Sequence, residues 1–289
     1  MTNPAKVYWP EEGYTKADLV AYYRSVAPAI IPHLRDRPLS LHRHPDGIAG
    51  ASFFQKDVHQ QPPPEWVKTV AIVSGDGKRL TQVVCQDEAT LVYLANLGCI
   101  EMNPWTSRVG SLDRPDYLVI DLDPHEAPFA LAVEAAREVR KLLRRPCGEC
   151  FCKTSGKRGL HVYVPLAARY DHEQVRQFAE IIARLLEQKF PDSVSLVRDP
   201  NRRKGKLYVD YLQNRQGQTT VAPYSVRPVP GATVSTPLKW SEVTHRLDPR
   251  TFTIRTVPRR IDRLGDLWAG VLGAGADLRR CVGGLPAGR

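Results

Sequence analysis

The residues best placed to do chemistry are two aspartates that close an apolar run, Asp116-Tyr117-Leu118-Val119-Ile120-Asp121-Leu122-Asp123-Pro124. Tyr117 to Ile120 predict a buried strand that ends by presenting acids at a cleft edge. Side chains alternate along a strand, so Asp121 and Asp123 share a face and Leu122 points away. Their spacing, about 7 Å along the strand, suits bridging by a hard cation such as magnesium or manganese. Asp-x-Asp also occurs at solvated loops and helix starts. Beside a core, however, like-charged carboxylates repel and are costly to desolvate, which favours a partner of opposite charge.

Two further segments extend this chemistry. Asp210 closes a second apolar strand candidate, Leu207-Tyr208-Val209-Asp210, and Ser155-Gly156-Lys157-Arg158-Gly159 forms a basic turn between two others. Three acids converging on divalent metal suit nucleotidyl transfer, in which metal ions activate a hydroxyl and neutralise a triphosphate and its leaving group. The turn offers N–H groups, a hydroxyl and two cations to phosphate oxygens, and His161 could add a donor. It lacks the eight-residue Walker spacing. Singly, each part reads equally well as an ordinary surface hairpin, a structural histidine or a strand-end acid; the combination carries the argument.

The elements that must position these groups follow in order. Thr15-Lys16-Ala17-Asp18 resembles a capping box opening a helix with Leu19, Tyr22, Tyr23 and Val26 on one side, a pattern that Pro28 and Pro32 interrupt. Strands are predicted at 38–44, 51–56, 68–73 and 80–85, the last two flanking a hairpin turn at Ser74-Gly75-Asp76-Gly77. Asp87 caps a helix that Gly98 ends, and 101–108 reads as loop. After the acid-bearing strand come an amphipathic helix through Leu143, strands at 151–154 and 160–165, and a helix from about Val175 to Lys189. A basic turn at 200–206 leads to the strand ending in Asp210, and a last helix candidate lies at 261–271. The order strand, helix, two strands, helix, strand is the split βαβ pattern of ferredoxin-like or RNA-recognition-type sheets, which host many activities.

Composition sets the bounds. With 289 residues, 42% hydrophobic and 25% charged, the chain can bury a substantial core. Lys and Arg outnumber Asp and Glu by 41 to 31, a formal charge of +10 that favours a polyanionic partner such as nucleic acid. A diffuse basic surface would give the same sum. No apolar run approaches the roughly 20 residues of a membrane span, and Met1-Thr2-Asn3-Pro4 opens no secretory signal, so a cytoplasmic protein is expected. Six cysteines are then mostly reduced thiols; Cys147-x-x-Cys150-x-Cys152 lacks the partner ligands of a zinc site.

Four ordered motifs resemble the polymerase domain of bacterial DNA ligase D, in the archaeo-eukaryotic primase superfamily. They are Asp-Leu-Asp-Pro at 121–124, Lys-Thr-Ser-Gly-Lys-Arg-Gly-Leu-His at 153–161, Val-Asp-Tyr-Leu-Gln-Asn at 209–214 and Thr-Val-Ala-Pro-Tyr-Ser-Val-Arg at 220–227. The resemblance runs from Pro10 to about Arg260. It implies an α/β (α+β) primase-polymerase fold with a central RRM-like antiparallel sheet flanked by helices. A single catalytic domain over 1–272 is expected, with an N-terminal α/β module of about 1–110, a core of about 111–272 and a mobile tail at 273–289.

The resemblance also implies an activity. It is template-dependent extension of primers at DNA gaps, ends and 3′ overhangs in non-homologous end joining, with ribonucleotide insertion and two manganese or magnesium ions. The implied partners are broken or gapped duplex DNA, NTP and dNTP substrates, Ku and a DNA ligase, in a nucleoid-associated setting. De novo priming and a catalytically silent DNA-end-binding module are the alternatives. Position by position, Asp121, Asp123 and Asp210 resemble the metal-binding acids. Ser155, Arg158 and His161 fall where the triphosphate is held, and Gln213 and Arg227 match further nucleotide-pocket positions. Phe53 and Phe54 resemble an aromatic pair that stacks on base or template, and Lys16 a lysine that binds a downstream 5′ phosphate. Arg158 replaces the usual lysine and can grip phosphate bidentately. Asn103 stands where some members carry a histidine near the triphosphate, and an amide donates no proton at pH 7. Arg203, between Arg202 and Lys204, falls near a nucleotide-contacting arginine. The Lys-x-Asp-Gly motif of a ligase active site does not occur.

Overall fold

The structure, a computed structural model, describes residues 1–73 and 77–286. The predicted hairpin turn at 74–77 therefore lies, but for Gly77, outside the described residues. The chain divides into two compact units, one of residues 1–110, 219–236 and 249–266, the other of 111–218, 237–248 and 267–289.

The first unit opens with a small ladder, β1 (Val7–Trp9) with β2 (Tyr14–Thr15). Helix α1 (Lys16–Leu34) starts at the predicted capping box, in which Thr15 and Asp18 bond reciprocally. It runs without a break through Pro28 and Pro32, which interrupt the sequence pattern. Both prolines sit on the exposed stripe, so the carbonyls they leave unbonded face water. The opposite stripe, Leu19, Tyr23, Val26, Ile30 and Leu34, is fully buried and holds the helix together.

Next come β3 (Pro38–Arg43), β4 (Phe53–Gln55), β5 (Thr69–Val73), β6 (Arg79–Val84), α2 (Glu88–Asn96) and β7 (Cys99–Pro104). The N-cap of α2 is Asp87, as expected. Strand β3 pairs with β7 along one edge and with β6 and then β4 along the other, all antiparallel. Residues 99–104 are thus a fully buried strand where a loop was expected at 101–108. Glu101, Asn103 and Pro104 hide the apolar pattern, but a ladder to β3 satisfies the backbone and makes their burial tolerable.

The second unit holds a six-stranded sheet in the order β11, β12, β8, β10, β9, β13. Its members are β8 (Tyr117–Asp123), α3 (Phe129–Arg144), β9 (Phe151–Thr154), β10 (Leu160–Pro165), α4 (His172–Lys189), β11 (Val194–Ser195), β12 (Leu207–Asp210) and β13 (Pro237–Leu238). Antiparallel neighbours β12, β8, β10 and β9 form the RRM-like core, the fold class expected. Leu118, Ile120 and Leu122 of β8 are buried with the apolar stripes of α3 and α4, among them Ala136, Val139, Ile182 and Leu186. Strand β11, parallel to β12, was not foreseen.

Two further helices close the chain, α5 (Val257–Leu264) in the first unit and α6 (Leu278–Gly283) in the second. The helix candidate at 261–271 thus resolves into the end of α5 and a short 3-10 turn at Ala269–Leu272. Where the sequence suggested a mobile tail, α6 buries Leu278 and Cys281, and Cys281 forms a disulfide with Cys147 across a Cα separation of 4.9 Å. The other four cysteines are free and buried. Among the described residues no helix is long and apolar enough to cross a membrane.

Candidate active site

One cross-strand row organises the second unit. Asp210 on β12 stands opposite Asp121 on β8, Asp121 opposite His161 on β10, and His161 opposite Lys153 on β9. Directly opposed residues share a sheet face with Cβ atoms about 5 Å apart, so four strands deliver two acids, an imidazole and an amine in line. Asp123, two residues on from Asp121, joins them on the same face, opposite Tyr208.

Each member of the row is held. His161 Nε2 lies 3.4 Å from Asp121 Oδ1, and Lys153 Nζ lies 2.9 Å from His161 Nδ1. His161 is thus held between Lys153 on its Nδ1 side and Asp121 on its Nε2 side. Lys153 is fully buried and also lies over the Tyr163 ring at 5.7 Å. Asp123 Oδ1 accepts from the His125 N–H at 3.0 Å, and its Oδ2 lies 3.8 Å from Arg203 Nη1. Arg203 is itself fixed over the Tyr208 ring and by the carbonyls of Val197 and Arg198.

Asp210 accepts from the Leu212 N–H at 2.9 Å and from Gln213 Nε2 at 3.4 Å. Burial nevertheless raises its pKa above the ordinary aspartate value, outweighing the hydrogen bonds from Leu212 and Tyr208 and the charges of Arg198 and Arg203. Gln213 Oε1 is buried with no hydrogen-bond partner. Next along the chain, Asn214 bonds both the N–H and the C=O of Val119 at 2.8 Å. Its side-chain amide thus continues the ladder on β8 beyond the end of β12 and ties the Asp210–Gln213 segment to the acid-bearing strand.

The basic turn is built around Ser155. Its Oγ accepts from the N–H groups of Gly159 at 2.9 Å and Lys157 at 3.2 Å, and its own N–H donates to the Gly159 carbonyl at 2.8 Å. Those two N–H groups, offered to phosphate in the sequence reading, close the turn instead. Lys157 and Arg158 are exposed at its tip. A Cβ on Gly159 would come within 2.3 Å of the Leu122 carbonyl, so only glycine lets the turn sit against the acid-bearing strand.

In the first unit, the remaining predicted residues gather around Glu101. Its Oε2 lies 3.2 Å from Arg227 Nε and 3.9 Å from His42 Nδ1, with all three side chains largely buried. Asn103 stands two residues along β7, buried, with Nδ2 3.5 Å from the Glu101 carbonyl. His42 stacks on Phe54 at 4.1 Å with a 10° interplanar angle, and Arg43 lies over the Phe53 ring at 5.3 Å. Phe53 and Phe54 are 46% and 57% exposed, unusual for rings of that size. Lys16, by contrast, is only 6% exposed and donates to the Asn96 carbonyl at 2.9 Å and to Thr2 Oγ1 at 3.3 Å. Burial, reinforced by Lys6, lowers its pKa. It is not a solvated helix-end lysine.

Sequence reasoning named neither Lys153, Asn214, Glu101 nor His42 as site residues. Lys153 and Asn214 were visible only as flanks of motifs. Glu101 and His42 become legible once β3 and β7 are paired, because they are direct partners.

Among the described residues no three of His, Cys, Asp and Glu are drawn together tightly enough to hold a metal ion. The donor set nevertheless fits a hard divalent cation: three carboxylates share one sheet face, and on Asp210 burial disfavours the charge that a cation would favour.

A four-stranded RRM-like core with acids on two adjacent strands is the arrangement of a primase-type polymerase. The comparisons agree. The family described as LigD, primase-polymerase domain matches residues 15–268, and the chain belongs to that family. The multifunctional non-homologous end joining protein LigD of Pseudomonas aeruginosa is 34% identical over 98% of the chain. The bifunctional non-homologous end joining protein LigD of Bacillus subtilis is 35% identical over 91%. The chain spans 34% and 42% of the length of these two relatives. It superposes with a TM-score of 0.87 and 30% identity on the polymerase domain from Mycobacterium tuberculosis ligase D in complex with DNA, covering 95% of this chain and 98% of that one.

Proposed function

We propose that the chain is a template-dependent nucleotidyl transferase that extends primers at DNA gaps, ends and 3′ overhangs in end-joining repair and readily inserts ribonucleotides. The observation that carries this reading is the in-register row Asp210, Asp121, His161, Lys153, with Asp123 beside it. Asp121, Asp123 and Asp210 would hold manganese or magnesium, which when bound lowers the pKa of a 3′ hydroxyl and neutralises phosphate charge. His161 stands at the edge of this acid group, suited to a triphosphate oxygen, and Lys153 holds its ring in place. Gln213, whose Oε1 lacks a partner, has capacity for one donor from a nucleotide. Ser155 shapes the turn that carries Arg158, which is free of the sheet to reach phosphate. In the first unit, Arg227 and Asn103 would contact nucleotide, the exposed Phe53 and Phe54 would stack on base or template, and Lys16 would meet a downstream 5′ phosphate.

Membership of the LigD family supports partnership with Ku and a DNA ligase and a cytoplasmic, nucleoid-associated setting. The residues work as a single catalytic domain. Primer extension on gapped DNA tests the reading: product is expected with manganese and none without divalent metal. Equal product after chelation, or none under any metal, would overturn it.

A further inference from the structure

We propose that a basic groove along α3 is a second nucleic-acid contact, one that takes the phosphates of a DNA strand. The groove encloses about 850 Å3 and shares no residue with the acid row. One wall is the second half of α3 and the residue after it, with Arg137, Arg140, Lys141, Arg144 and Arg145; the other is Trp240, Ser241 and Thr244. Arg137, Lys141 and Arg144 are exposed and stand at i, i+4 and i+7, one stripe of the helix. They cover about 10 Å of helix axis, the length over which one DNA strand presents roughly three phosphates.

The groove is built rather than a loose scatter of charge. Trp240 donates its indole N–H to the Cys150 carbonyl at 2.7 Å, and Arg140 lies over its ring at 4.9 Å. Arg137 Nη1 reaches the Val243 carbonyl at 3.4 Å, tying the two walls together. Ser241 and Thr244 add hydroxyls to the lining. Acids are few: Glu138 lies 3.9 Å from Lys141, Glu149 lines an adjoining cavity, and Glu242 is taken up by the Lys239 N–H at 2.7 Å. Five cations in a concave wall with two hydroxyls and no lining acid suit a row of phosphates better than any neutral ligand.

The choice of DNA among polyanions rests on the polymerase reading. The test is fluorescence anisotropy with a labelled duplex bearing a 3′ overhang, with neither nucleotide nor divalent metal, across a series of KCl concentrations. Replacing Arg137, Lys141 and Arg144 together by alanine should weaken binding by roughly tenfold or more and make the slope of log affinity against log salt shallower by about 2 to 3. Arg137→Lys with Arg144→Lys, which keeps the charge, should bind within about twofold of the unaltered chain. Lys141→Glu, at a side chain 74% exposed where folding is not at stake, should weaken binding several-fold. Unchanged affinity and slope in the alanine variant would overturn the proposal, as would poly-glutamate displacing the DNA at lower charge concentration than unlabelled duplex. Because the assay contains no nucleotide or metal, a failed extension assay leaves its outcome intact, and an unchanged slope leaves the polymerase reading intact.

Discussion

On the outer face of α4, Glu173 and Glu180 are gripped by arginines. Arg176 reaches both at 2.6 to 2.9 Å and Arg184 reaches Glu180 at 2.7 Å. The Arg176 hydrogen bonds hold the Glu173 carboxyl down near pH 2, and those from Arg184 and Arg176 lower Glu180. On the sheet behind that helix, burial pushes Asp210 the other way. The first region is a surface in which each charge meets its opposite within one helix turn, and such pairs contribute little. The second region sets three carboxylates on one sheet face and, at Asp210, buries one against its charge, an arrangement that a cation would favour.

The sharpest way to break this contrast is to remove the acids. Asp121→Ala or Asp123→Ala should abolish primer extension, a fall of roughly a thousandfold or more, with overhang-DNA binding by anisotropy nearly unchanged. Removing a ring comes next. Phe54→Ala should weaken productive primer–template binding by roughly tenfold, read as KM for template, without shifting the thermal midpoint, since the ring is 57% exposed. Lys16→Ala should weaken binding several-fold only to gaps with a 5′ phosphate, and equal weakening without phosphate would reduce it to general electrostatics. The smallest effects compare the two regions directly. The raised pKa of Asp210 means its contribution to stability is complete below the unfolded aspartate value and is lost as pH rises through the folded one. Asp210→Asn should therefore raise the midpoint at pH 7 by about 2 °C while disabling extension. Glu173→Gln should move it by less than about 1 °C and leave extension untouched.

The sequence made some of this legible for identifiable reasons. The β8 strand and its acids were readable because an uninterrupted apolar run stops at Asp121. The Thr15 capping box and the α3 and α4 stripes were readable because helix signals are local. The cross-strand row was not, because register is a tertiary property and nothing in the local pattern says that Asp121 will face both Asp210 and His161. Lys153 escaped notice because a lysine in a strand reads as solvent-facing, whereas here it is fully buried against His161. Strand β7 was missed because Glu101 and Asn103 look like loop residues until β3 covers them. The prolines of α1 misled because the local rule against them gives way where their stripe faces water.

Calorimetric melting of the unaltered chain and of Asp210→Asn, each with and without manganese, tests the central claim most directly. The account predicts that manganese raises the midpoint of the unaltered chain by several degrees and that of Asp210→Asn by much less, so that the variant's advantage without metal disappears with it. Equal shifts in the two proteins, or no shift in the unaltered chain, would contradict the claim that the acids of this sheet are there for a cation.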